Sequence, residues 1–146
     1  MIKLKKSKVL IIIFIFFQFA NKAQDRYPLD YFSDPLETEK ILNGNFGESR
    51  SAHFHSGIDF KTQFKEGLNV YSSAEGYISR ISIKHGGFGK ALYINHPNGY
   101  TTVYAHLKNF SNKIENYIKK LQYEKKTYQI EHYPKKNSLK ILKNEN

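Results

Sequence analysis

Six histidines are the residues of this 146-residue chain best suited to hold a metal or move a proton: His53, His55, His85, His96, His106 and His132. The densest grouping is His53-Phe54-His55-Ser56-Gly57-Ile58-Asp59. A neutral imidazole and a carboxylate brought together there suit Zn²⁺, which takes N and O donors in a four-coordinate shell with one position open for water. The same spacing also suits a surface histidine and an aspartate that caps a turn. His53 and His55 form a second candidate chelating pair if that segment is extended, because alternate strand residues share a face. His106 stands in Tyr104-Ala105-His106-Leu107, at the end of an apolar run. That position serves acid–base chemistry and a structural role equally well. His96, just before Pro97, reads as easily as a hairpin cap.

Cysteine is absent, which removes a thiol nucleophile, a disulfide scaffold and a finger-type zinc site. Any metal therefore rests on His, Asp and Glu. The formal net charge of +10 suggests nucleic acid until it is placed along the chain. Residues 1–23 carry +5, residues 108–146 carry +6, and the stretch between them is close to neutral at −1. A basic leader and a basic tail around a neutral middle are a poor footprint for a nucleic-acid face, and no such partner is expected.

The elements that must position these residues are mostly strands. Residues 1–23 read as a secretory signal peptide: four early lysines, an apolar run from Val9, and Ala23 at the cleavage end. At about a dozen residues the run falls short of the roughly 20 a spanning helix needs, though an uncleaved anchor is the competing reading. Either way the product is exported, to the periplasm or the outside, with no stable membrane span once the signal is removed. Residues 24–40 read as an extended approach segment. From Ile41 short apolar runs alternate with Gly, Asn and Asp: Leu68–Tyr71, Gly76–Ile83, Ala91–Ile94 and Thr101–Leu107. Pro97-Asn98-Gly99 marks a hairpin. The glycine-rich turn Lys84–Gly89 looks like a phosphate loop, but no helix follows it, and phosphate loops depend on a helix N-terminus. Ile114, Tyr117, Ile118 and Leu121 recur at helical spacing among lysines, so one short helix is expected near 111–126, with a solvated charged face. One more strand is expected in 127–146.

Taken together, Asn45-Phe46-Gly47-Glu48-Ser49-Arg50, His55-Ser56-Gly57-Ile58-Asp59-Phe60, Gly76-Tyr77-Ile78, Gly89 to His96 and Gly99 to Leu107 occur in one order. This order resembles the lysostaphin-like (LytM-type, Gly-Gly/β-lytic endopeptidase) zinc metallopeptidases, which cut peptide cross-links in peptidoglycan. The resemblance covers roughly residues 41–107 of a partial domain at 41–146. It implies a mainly β fold: an antiparallel sheet core of the lysostaphin-like peptidase type, akin to a duplicated hybrid motif, with the site in a groove on the sheet. Carried over residue by residue, it implies that His55 and Asp59 are ligands of one Zn²⁺ and that His106 is a catalytic histidine. Gly57 would let the backbone pass close to the metal, and Arg50 sits where the family has a structural arginine. Tyr104 and His53 are accessory positions.

The family also closes its site with a later His-x-His motif, which supplies the third zinc ligand and a second catalytic histidine. After His106 only His132 remains. The Lys-rich segment 108–146 reads as an insertion ahead of that motif, and the chain reads as stopping inside the domain. The expectation is an exported metalloendopeptidase-family protein acting on peptidoglycan peptides, impaired on its own. The alternative is a non-catalytic module that binds cell wall or regulates an amidase, with a cell-wall amidase or divisome protein as partner.

Overall fold

A computed structural model describes residues 29–146. The expected leader at 1–23 lies outside the described residues. Phe32–Asn146 forms one compact unit, and it is mainly antiparallel β with one helix.

The centre is an antiparallel sheet of β3 (Gly76–Ile83), β4 (Lys90–Asn95) and β5 (Thr101–Tyr104) in the order β5-β4-β3. These strands fall where the apolar runs predict them, and the Pro97-Asn98-Gly99 turn joins β4 to β5. Gly99 takes φ +87° there, a conformation that only a residue without Cβ adopts freely. Leu68–Tyr71 departs from expectation, since no strand forms there. Tyr71 donates one backbone hydrogen bond to Pro35, and no ladder follows it.

β3 breaks the simple alternation its sequence suggests. Its register against β4 runs Ile78↔Ile94 and then Arg80↔Tyr93, so one extra residue is inserted between them. A bulge of this kind shifts the pleat by one position. Ile78 and Ile81 have opposite parity along the strand, yet both are fully buried in the same core.

The helix α1 (Asn112–Lys125) forms where the 3.6-residue period predicts it. It buries Ile114 and Ile118 on the sheet, with Tyr117 and Leu121 packed alongside. Its chain then returns twice to the free edge of β3. β6 (Ile130–His132) pairs with Ile81–Ile83, and β7 (Lys140–Ile141) pairs with Gly76–Tyr77. The sequence led us to expect one strand in this segment and two form, laid end to end along β3. Phe110, Ile114, Ile118, Ile130, Leu139 and Ile141 join the same core as the strands, so the Lys-rich segment is apolar on its inner side.

A second, two-stranded sheet pairs β1 (Leu42–Gly44) with β2 (Asp59–Phe60). Between them the chain folds on itself. Gly47 N–H donates to His55 O, His55 N–H to Glu48 O, and Arg50 N–H to His53 O. This small hairpin carries the first candidate site residues.

Candidate metal and catalytic site

The loop preceding β2 behaves as the sequence suggests, a turn running into a strand with Asp59 at the strand's first position. His55 and Asp59 converge there: Nε2 of His55 lies 3.2 Å from Oδ1 of Asp59. The other ring nitrogen, Nδ1, is 2.9 Å from the Asn45 carbonyl oxygen. A carbonyl only accepts, so Nδ1 carries a proton, and a ring with that proton alone presents a lone pair at Nε2. In that form two lone pairs face one another across 3.2 Å, a gap that a proton or a cation fills. Tetrahedral zinc at about 2.0–2.1 Å from each donor separates its ligand atoms by about 3.3 Å. In donor type and separation, the pair fits two positions of such a shell.

Arg50 secures the carboxylate from behind, with Nη2 2.6 Å from Asp59 Oδ2. That hydrogen bond holds the Asp59 carboxyl below the usual carboxylate range. Partial burial works against it, and the charge of Arg50 reinforces it. The ion pair lies over Gly44. A Cβ there would come within 2.6 Å of Arg50 Nη2 and 2.7 Å of Asp59 Oδ2, so the close approach requires glycine. Gly57, by contrast, has room: a Cβ would rest 3.9 Å from His55 Nε2, an ordinary contact. Gly44, Asn45 and Glu48 take part in ways the sequence analysis assigns to none of them. Their contributions are space, a backbone carbonyl and a turn contact, and none of these has a residue-type signature.

His106 follows β5 with φ +56°, a left-handed backbone that is costly for a residue with a Cβ. The surroundings hold it there. Its N–H donates to Phe88 O at 3.0 Å, Leu107 N–H donates to Lys90 O at 3.0 Å, and the Phe88 ring meets the imidazole edge-on. The glycine-rich turn that resembled a phosphate loop runs straight into β4 and serves here as the support for His106. Asp59 and His106 line one cleft of about 1080 Å³, together with Ile58, Tyr104, Lys65 and Lys108.

The remaining candidates are engaged by other partners. Tyr104 accepts a hydrogen bond from Ser73 N–H at 2.8 Å through its hydroxyl and packs on the core. His96 is buried, with Nδ1 2.8 Å from Glu75 O and Nε2 2.8 Å from Thr102 Oγ1, which ties the hairpin to the loop before β3. His132 Nε2 lies 2.8 Å from the Tyr117 hydroxyl, and burial pushes its pKa down. His85 stacks on Tyr128. Among the described residues no group of three or more His, Cys, Asp or Glu side chains is arranged to hold a metal, so neither His53 nor His132 joins the His55–Asp59 pair.

The model of peptidase family M23 matches residues 53–123, from the His53–Asp59 loop through His106 and into α1. Over this span the chain is similar to peptidase family M23. The M23 match extends past Leu107, where the resemblance read from motifs ends, and takes in most of the helix that packs on the sheet. The chain is 44% identical over 57 residues to a protein named DD-carboxypeptidase/endopeptidase Mpg in Neisseria meningitidis serogroup B and in Neisseria gonorrhoeae, covering 39% of this chain and 13% of that one. It is 32% identical over 92 residues to an uncharacterized metalloprotease of Haemophilus influenzae, covering 59% of this chain and 19% of that one. The chain therefore spans about a fifth or less of the length of these curated relatives. No solved structure gives a significant match.

Proposed function

We propose that this chain carries the zinc-binding half of an M23 metalloendopeptidase site acting on peptide cross-links of peptidoglycan, in an exported protein. The observation that carries the reading is the His55 Nε2–Asp59 Oδ1 separation of 3.2 Å, with Nδ1 tied to the Asn45 carbonyl. His55 and Asp59 would hold the ion. When bound, zinc lowers the pKa of its water toward about 7 and polarises the scissile carbonyl. Arg50 keeps Asp59 ionised and turned toward His55. His106, on the same cleft, is the group that moves a proton to or from the reacting peptide or stabilises its developing oxyanion. The peptide lies in the cleft between Asp59 and Lys108.

With His55 and Asp59 as its protein ligands, the ion is held loosely, so hydrolysis by this chain alone is weak or absent. The same two-donor set favours a second reading, a module that grips cell-wall peptide or an amidase partner without cutting. Zinc stoichiometry of the full chain, paired with clearing of cell-wall suspensions with and without chelator, separates the two. Zinc uptake with chelator-sensitive clearing supports the enzyme. Cell-wall binding that is indifferent to chelator supports the module. A chain that takes up no zinc and leaves cell walls untouched refutes the peptidase reading for this chain.

A further inference from the structure

Among the described residues, Glu48 is the one acidic side chain that reaches both supports of the His55–Asp59 pair. Its Oε2 accepts a hydrogen bond from Asn45 N–H at 3.1 Å, and its own N–H donates to Asn45 O at 3.3 Å. Both ends of the Asn45 residue are therefore held by Glu48, and that carbonyl is the acceptor 2.9 Å from His55 Nδ1. The same Oε2 lies 4.0 Å from Arg50 Nη2, the nitrogen bonded to Asp59. Finally, Glu48 O accepts from His55 N–H at 2.8 Å, which fixes the histidine's own backbone.

We propose that Glu48 is a positioning residue: it sets the Asn45 carbonyl that selects the Nδ1–H tautomer of His55, and it steadies the Arg50 guanidinium that orients Asp59. Its side chain touches neither the cleft nor the pair directly. Its effect passes through one backbone carbonyl and one cation. Outer contacts of this type commonly change metal affinity by about 10–100-fold. The inference rests on the proposed metal reading for its consequence, though the tautomer claim stands on the hydrogen bonds alone.

The experiment compares the full chain with Glu48→Ala and Glu48→Gln by three measurements. These are titration with zinc ion alone, the protonated nitrogen of His55 by ¹⁵N NMR at neutral pH, and the melting temperature. Glutamine keeps an acceptor for Asn45 N–H and loses the charge facing Arg50. The expected result is an Nδ1–H ring in the wild type and in Glu48→Gln, and a proton shared between both nitrogens in Glu48→Ala. Zinc affinity should fall by about 10–100-fold in Glu48→Ala and less in Glu48→Gln. Glu48→Ala with an unchanged tautomer overturns the proposal. A tautomer change matched by equal loss of melting temperature in both variants also overturns it, because it marks Glu48 as merely structural. If the wild type binds no zinc, the metal reading fails, and the tautomer comparison in the same samples still decides the role of Glu48.

Discussion

Arg50 and Asp59 meet through one oxygen only: Nη2 is 2.6 Å from Oδ2, which leaves Oδ1 to face His55. The two oxygens of one carboxylate thus have separate tasks, one anchored and one presented. An anchored carboxylate cannot rotate away from an incoming cation, so less order has to be gained on binding.

Removing the anchor should show this. Arg50→Ala is expected to weaken zinc binding by about 10–100-fold, with Arg50→Lys in between because ammonium lacks the planar fork. The Asp59 pKa is lowered in the fold, first by the Arg50 hydrogen bond. The ion pair is therefore complete above the ordinary carboxylate pKa and is lost as pH falls through the depressed value. Zinc titrations at stepped pH should find Arg50→Ala losing affinity at a higher pH than the wild type.

His106 holds a left-handed backbone at φ +56°. Among residues with a Cβ, asparagine tolerates this conformation best. His106→Asn should keep the wild-type melting temperature and zinc affinity while any hydrolysis falls by about 10²–10⁴-fold, the usual worth of a general acid or base. Release of dye from labelled cell walls is the readout. Unchanged hydrolysis in this variant would remove His106 from the chemistry.

Glu131 on β6 is bonded to Arg80, with Lys84 at 2.6 Å and the Tyr133 hydroxyl at 3.2 Å. Arg80 also lies over the Tyr93 ring at 4.4 Å. Led by the Arg80 bond, these contacts push the Glu131 carboxyl from its ordinary 4.5 down to about 2. A lowered pKa means the unfolded chain takes the proton first as pH falls. The stabilisation is full above pH 4.5 and is lost progressively down to about 2. Glu131→Gln should cost about 1–2 kcal/mol at neutral pH. Urea melts should show that difference shrinking across the same acid window.

Ile118 is 1% exposed on α1. If residues 108–146 were a loosely attached insertion, shortening this side chain would matter little. As part of the common core, Ile118→Ala should cost about 2–5 kcal/mol, comparable with Ile81→Ala on β3. Denaturant melts of the two variants make the comparison.

Much of the architecture was legible because it depends on near neighbours. Alternation and turn residues marked β3, β4 and β5, and a period of 3.6 marked α1. The His55–Asp59 spacing and His106 at a strand end were visible as residue types. The bulge in β3 was not, because Ile78 and Ile81 share a core only through a register set against β4. Nor were the roles of Gly44, Asn45 and Glu48, which act by an absent Cβ, a carbonyl and a turn contact.

By itself the sequence determined which residues could bind or move a proton, and which short stretches would be strand or helix, since both follow from side-chain chemistry and local periodicity. Only the tertiary structure decided that Arg50 takes one oxygen of Asp59, that a carbonyl ten residues away orients His55, and that the lysine-rich tail closes the core. Those outcomes depend on how sheets register and loops fold back. No local pattern encodes them, because the partners are brought together only when the apolar faces are buried.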